Sequence, residues 1–204
     1  MHKEVLTEKQ LEILPLISKF KKDFGLVGGT AIAFHIGHRE SIDFDLFSNS
    51  EFENSKIRRK IIQSGYKIEY VFQDCKDEYT VLVSGVKLTF LYYPFKINFL
   101  ENFIEGIKLP DIYTLGAMKA YALGRRTKWK DYVDLYFISK NEGNLNKVIK
   151  KAKQIFGSEF NEKNFKIQLS YFKDIDYSEK VIFKNGFKIN DNIIEEELKK
   201  VSII

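Results

Sequence analysis

The chain has 204 residues, 44% of them hydrophobic and 15% aromatic, which excludes a disordered protein and fits one large domain or a catalytic part with a smaller helical one. Lys and Arg outnumber Asp and Glu by 33 to 28, a formal charge of +5, compatible with a nucleic-acid partner without requiring one. The single cysteine, Cys75, excludes an internal disulfide and a cysteine-rich zinc site, while the polar start MHKEVLTEKQ and the lack of an apolar run near ~20 residues predict a cytoplasmic protein without signal peptide or membrane span.

Residues 7 to 23 read as an amphipathic helix, with a Thr7–Gln10 capping box, a face of Leu11, Leu14, Ile17 and Phe20, and a bend at Pro15. FGLV at 24–27 predicts a short strand ended by Gly28-Gly29, and Thr30 to Ile36 a short helix. IDFDLF at 42–47 predicts a strand. Ser50 and Glu53 form a second capping-box pattern, opening a helix to about Ser64 that Gly65 ends. YKIEYVF from 66, EYTVLVS from 78 and VKLTFLYY from 86 predict an antiparallel meander, with a further strand near Gly106–Leu109. From Asp111 the pattern turns helical, over 111–123, 130–140, 145–155, 161–172 and 191–201, with a strand-like VIF near 181. Pro110 marks the boundary between a core of residues 1–110 and a helical part of residues 111–204.

Three constellations carry chemistry. Gly28-Gly29 between a strand and a helix lets backbone N–H groups approach a phosphate, although an ordinary tight turn reads the same way. Asp43 and Asp45, spaced by two on a strand, leave one face with their carboxylates about 7 Å apart. Such a pair is costly unless a cation sits with it. Aspartate is depleted in strands, so a glycine turn about fourteen residues before a paired-carboxylate strand matches a two-metal phosphoryl-transfer site better than a solvated strand end. The tetrapeptide His35-Ile36-Gly37-His38 matches the HxGH sequences of an adenylyl-transferring superfamily of different fold. No lysine motif of the KMSKS kind and no βαβ alternation accompany it, and a packed or surface histidine pair is the alternative. The third constellation spans 119 to 134. Lys119 precedes Arg125, Arg126, Lys128 and Lys130, and Asp131 and Asp134 share a helix face at i, i+3. These cations line a phosphate or RNA groove in one reading and a salt-bridged surface in the other.

Together two blocks, Gly28-Gly29-Thr30-Ala31 through Gly37-His38-Arg39 and Ser41 to Asp43-x-Asp45 and Phe47, and Ala117-Met118-Lys119 with Ala122, Arg125 and Lys130-Asp131-x-x-Asp134-Leu135, resemble the AbiEii/AbiGii-type nucleotidyltransferase toxins of the DNA polymerase β-like superfamily. The resemblance covers roughly 25 to 140. It implies an α+β fold, a small mixed, antiparallel-edged sheet packed with helices, followed by a mostly helical part that completes the active-site cleft. It implies a nucleotide-binding group of Gly28, Gly29, Thr30, Arg39, Ser41 and Lys119, with Asp43 and Asp45 as Mg²⁺ ligands and Asp131 as the downstream functional aspartate. Asp134, Arg125 and Arg126 are further candidates, and the two histidines fall in a variable helix. The implied reaction moves a nucleoside monophosphate from an NTP to an acceptor hydroxyl, in a tRNA end or another RNA, as the toxin beside a cognate antitoxin. One departure stands out. Many relatives place a third carboxylate on a later strand, where VKLTFLYY offers Thr89 or Phe90. Either Asp131 or Asp134 replaces it, or the site is weaker. The alternative is a nucleotide- or RNA-binding protein on the same fold without turnover, with the HxGH-type adenylyltransferase behind it.

Overall fold

The structure, a computed structural model, describes residues 2–142 and 145–203. Its contacts separate two units: Leu6–Ala31 with Ser41–Asp111, and the N-terminal stretch to Val5 with Ile32–Glu40 and the chain from Ile112 onward. Among the described residues no helix is long and apolar enough to cross a membrane.

The first unit holds a five-stranded sheet of β1 (Gly25–Val27), β2 (Phe44–Ser48), β3 (Ile68–Cys75), β4 (Glu78–Val83) and β5 (Val86–Tyr92), in the order β1-β2-β5-β4-β3. Only the β2–β5 pair is parallel; β1–β2, β5–β4 and β4–β3 are antiparallel. The fold is therefore α+β with antiparallel pairs at both edges, as expected. Alternation builds the sheet's packed face: Val86, Leu88 and Phe90 of β5 and Tyr79, Val81 and Val83 of β4 are all buried. Between these strands Ser84 and Gly85 have φ of 50° and 70°. Two successive positive φ values make the two-residue turn whose twist matches the flanking strands.

The helix α1 (Glu8–Ser18) starts with the predicted capping box, in which the Thr7 side chain accepts from the Gln10 backbone and the Gln10 side chain accepts from the Thr7 backbone. It ends earlier than the periodicity implies, with turns at 19–23, and its buried face is Ile13, Leu14, Leu16 and Ile17. Leu11, expected on that face, is exposed.

The expected capping box at Ser50 does not form. Instead α3 spans Asn54–Gln63 behind Glu53, which makes no side-chain cap bond. The cause is tertiary. Asn49 bonds both the carbonyl and the N–H of Ile97, at 2.8 and 3.1 Å, and the Ser50 N–H reaches Ser48 Oγ, so residues 49–53 are held out of the helix. Gly65, at φ +86°, follows the end of α3 as predicted. The segment after β5 yields two short strands, β6 (Glu101–Asn102) and β7 (Lys108–Leu109), paired with each other.

The second unit is helical: α4 (Ile112–Leu123), α5 (Trp129–Glu142), α6 (Leu145–Phe156), α7 (Glu162–Ser170) and α8 (Asp191–Ile203). Gly116 lets α4 lie close to α6, since a Cβ there would stand 3.0 Å from a Val148 methyl. VIF near 181 is not a strand; a single bridge joins Phe183 to Arg39. The remaining helix, α2 (Gly28–Ile36), has its first turn in the sheet unit and its later residues in the helical one.

Candidate active site

In the sheet unit the glycine pair is not a loop before the helix but the first turn of α2. Gly28 has φ +71°, and a Cβ there would lie 2.1 Å from Asp45 Oδ2. Only glycine supplies both the backbone angle and the room. The Asp45 carboxylate therefore sits against the N-terminal turn of α2, where backbone N–H groups and the helix dipole favour negative charge. Along β2 the residues alternate: Phe44, Leu46 and Ser48 are buried, and Asp45 and Phe47 are half-buried. Asp43 lies one residue before the strand and continues the half-buried set, whereas Ile42 is exposed.

A buried polar group fixes Asp43 from behind. Thr30 Oγ1 donates to the Asp43 carbonyl and lies 2.9 Å from Ser41 Oγ. Gln10 Nε2 reaches the same carbonyl at 3.5 Å. Thr30, Ser41 and Gln10 are all buried; Thr30, expected at the nucleotide, supports the backbone of Asp43, and Ser41, expected there too, lies against the Thr30 hydroxyl. Gln10 was legible only as a helix-capping residue.

The Asp43 carboxylate pairs with Lys87 Nζ at 2.9 Å. The parallel register sets Asp45 beside Thr89, whereas Phe90 is wholly buried. Among the described residues no group of three or more His, Cys, Asp or Glu side chains is arranged to hold a metal. A pair of carboxylates still fits magnesium, which characteristically takes one or two carboxylates and completes its shell with water and substrate phosphates.

The helical unit carries the second block as a dense buried network. Asp134 on α5 accepts from Arg39 Nε at 2.7 Å, Arg39 Nη2 at 2.8 Å and His38 Nε2 at 2.8 Å, and pairs with Lys119 Nζ of α4 at 3.0 Å. Lys119 also binds Asp131, whose other oxygen takes Arg126 Nε at 2.8 Å. Burial pushes the Asp134 carboxyl upward, but Arg39 and Lys119 overcome it and hold the group well below the usual carboxylate range. Asp131 follows the same balance, with Lys119 and Arg126 prevailing over burial. Burial works to lower Lys119, yet Asp131 and Asp134 keep it raised and charged. For His38 burial wins over Asp134, so the ring is held neutral, and its buried Nδ1 has no hydrogen-bond partner among the described residues.

Arg39, expected at a phosphate, is thus buried on Asp134, and His38, expected in a variable helix, lies beyond α2 as a packed histidine with 0% exposure on the same carboxylate. Its signals in the sequence are the HxGH-like tetrapeptide and its place in the first block, beside Arg39. The adenylyltransferase reading of that tetrapeptide falls with the mixed, antiparallel-edged sheet. The basic cluster is ion-paired: Arg125 with Glu159 at 3.5 Å, Arg126 with Asp131, and Lys128 and Lys130 with Glu179. The Lys128 ammonium, against the opposing effect of burial and with help from Lys130, pulls the Glu179 carboxyl down to about 2. Gly28, Gly29, Thr30, Ser41, Asp43 and Asp45 thus gather in the sheet unit, and Arg39, Lys119, Arg125, Arg126, Asp131 and Asp134 in the helical one.

Residues 16–198 match the family described as nucleotidyl transferase AbiEii toxin, type IV TA system. An uncharacterized protein of Aquifex aeolicus (strain VF5) is 36% identical over 142 residues, which are 63% of this chain and 66% of that protein. Among solved structures, JHP933 from Helicobacter pylori superposes with a TM-score of 0.60 at 18% identity, covering 97% of this chain and 92% of its own. MenT4, a nucleotidyltransferase toxin of Mycobacterium tuberculosis H37Rv, gives a TM-score of 0.59 at 13% identity, covering 93% and 79% respectively. At these identities the two structures speak for the fold, and the family match speaks for the activity. The chain belongs to the AbiEii family of nucleotidyl transferase toxins of type IV toxin–antitoxin systems, and is a nucleotidyltransferase.

Proposed function

We propose that the protein moves a nucleoside monophosphate from an NTP to an acceptor hydroxyl of RNA, a tRNA end above all, with Mg²⁺ as cofactor, in the cytoplasm and under the control of a cognate antitoxin. The observation that supports it most is the approach of the Asp45 carboxylate to Gly28, with Asp43 held by Thr30, Ser41 and Gln10. The Asp45 carboxylate beside a helix N-terminus, with Asp43 two residues before it in the chain, supports a site where a cation and a phosphate meet complementary charge. Asp43 and Asp45 are the residues that would hold magnesium, which supplies neutralisation of the triphosphate when bound. The backbone of Gly28 and Gly29 orients the phosphates. Lys119 and Asp131 form the second functional block, kept charged by one another and by Asp134 and Arg126. In the reaction the acceptor hydroxyl gives up its proton to solvent, its oxygen bonds to the α-phosphorus as the bond to the bridging oxygen breaks, and pyrophosphate leaves.

The test is incubation of purified protein with each α-³²P-labelled NTP and total tRNA, with and without EDTA. Label should appear in RNA only with free Mg²⁺, and should fall by about 10²-fold or more in Asp43→Ala and Asp45→Ala. Full activity in both variants would falsify the assignment. A second reading, a nucleotide- or RNA-binding protein without turnover, is favoured by Thr89 beside Asp45 and by Lys87 on Asp43. Calorimetry showing NTP binding with no transfer to any acceptor would select it.

A further inference from the structure

The sheet unit contains a cavity that the carboxylate pair does not line. It opens where β1 begins and β2 ends, three residues beyond Asp45 along the strand, or about 10 Å at the rise of a strand, and its volume is about 850 Å³. Two kinds of side chain meet there. Phe52 and Phe99 are half-buried rings held from behind, Phe52 edge-on to Phe24 at 5.1 Å between centroids, and Phe99 against Gly25, where a Cβ would lie 2.0 Å from its ring. The walls also carry five lysines against three acids, leaving the cavity positive. The acids Glu53 and Glu51 are engaged by Lys56 and Lys76, and Lys60 donates to the Lys19 carbonyl while lying over the Phe20 ring. Lys22 and Lys108, by contrast, have no side-chain hydrogen bond or ion pair among the described residues. Supported aromatic rings beside uncommitted ammonium groups are the means by which proteins grip single-stranded nucleic acid: the rings take bases, and the cations take phosphates. The volume falls within the range of pockets that enclose a small organic ligand, ample for one nucleotide unit.

We propose that this cavity binds a nucleotide unit of a single-stranded RNA, with the base at Phe52 and Phe99 and the phosphate at Lys22 and Lys108. It gives the protein a hold on the polynucleotide acceptor apart from Asp43 and Asp45, and it rests on the reading of RNA as acceptor.

The experiment is fluorescence anisotropy of a 5′-labelled single-stranded RNA oligonucleotide on the full chain, over a salt series, for wild type, Lys22→Gln/Lys108→Gln and Phe52→Leu. Because the two lysines have no partner to lose, the double variant should melt with wild type. Its affinity for the oligonucleotide should fall about tenfold, and the slope of log affinity against log salt should shrink by about 0.7 for the one phosphate released. Phe52→Leu should weaken binding by about tenfold at unchanged slope. Unchanged affinity and slope in the double variant overturn the proposal. So does a result in which only binding of free AMP or ATP, measured by calorimetry, responds to these substitutions, since the cavity then takes a mononucleotide and not a strand. Label transfer on the same preparations keeps the two readings apart. A wild type that transfers nothing yet loses its grip on the oligonucleotide when Lys22 and Lys108 are replaced upholds this site and removes the transfer reading. Asp45→Asn that stops transfer with strand binding intact upholds both.

Discussion

Replacing Asp134 with asparagine tests the buried network most sharply. The carboxylate has 0% exposure and receives Arg39 twice, His38 and Lys119, at 2.7 to 3.0 Å. Asparagine keeps the shape, but it removes the charge and turns an NH₂ toward groups that are already donors. Arg39 and Lys119 are then buried cations with one fewer counter-charge; Lys119 retains Asp131 in contact, whereas Arg39 keeps the Glu40 carbonyl on its Nη1 and the longer-range pull of Asp131 and Glu179. Breaking a buried pair from one side costs about 3–5 kcal/mol, a large part of the roughly 5–15 kcal/mol that a domain has. At about 2–4 °C per kcal/mol for a chain of this size, the melting point should fall by about 6–20 °C. Urea unfolding followed by far-UV circular dichroism reads the loss. Arg126→Ala serves as the reference, since its side chain is half exposed and should cost no more than about 1 kcal/mol. A loss below about 1 kcal/mol in Asp134→Asn would refute the reasoning. The acid limb gives an independent check. The folded carboxyl is held below its ordinary value, so its stabilisation is complete above the unfolded value near 3.9 and is lost as pH falls toward the folded one. The variant's stability should therefore fall less steeply below about pH 4 than that of wild type.

Three further outcomes follow from single contacts. Gly28→Ala should lose at least about tenfold in nucleotidyl transfer, because its Cβ would meet Asp45 Oδ2, as well as about 1–2 kcal/mol from the positive φ. Gly65→Ala, at φ +86° with open space around it, should show the stability loss alone, and equal activity losses in the two would contradict the role given to Gly28. His38 has its folded value lowered below 6.5 by burial. The stability from its neutral ring is thus complete above about pH 6.5 and is lost as pH falls from there. His38→Gln, which can still donate to Asp134, should flatten the urea midpoint below about pH 6.5, and parallel profiles would show that the ring does not titrate as described. Thr89→Asp adds a carboxylate beside Asp45 and should lower the Mg²⁺ concentration for half-maximal transfer by about tenfold; an unchanged requirement would remove the cation from this pair.

What the amino-acid sequence determined by itself is what local chemistry encodes. Apolar alternation broken at Gly85 was enough for the β4–β5 hairpin and Thr7-x-x-Gln10 for the start of α1, and Gly28-Gly29 with Asp43-x-Asp45 pointed to the candidate carboxylate site. Each depends on groups a few residues apart, or on a backbone angle that one residue type favours. The tertiary structure decided every assignment that turned on a distant partner. Asn49, bound to Ile97, overrode the Ser50 capping pattern. The β2–β5 register brought Thr89 to Asp45. Arg39 and His38, legible as a phosphate ligand and a chance motif, are fastened to a carboxylate 95 and 96 residues along the chain. The spacing of charges could not reveal this, because an arginine is committed by whichever counter-charge is buried with it, and burial is a property of the packed chain.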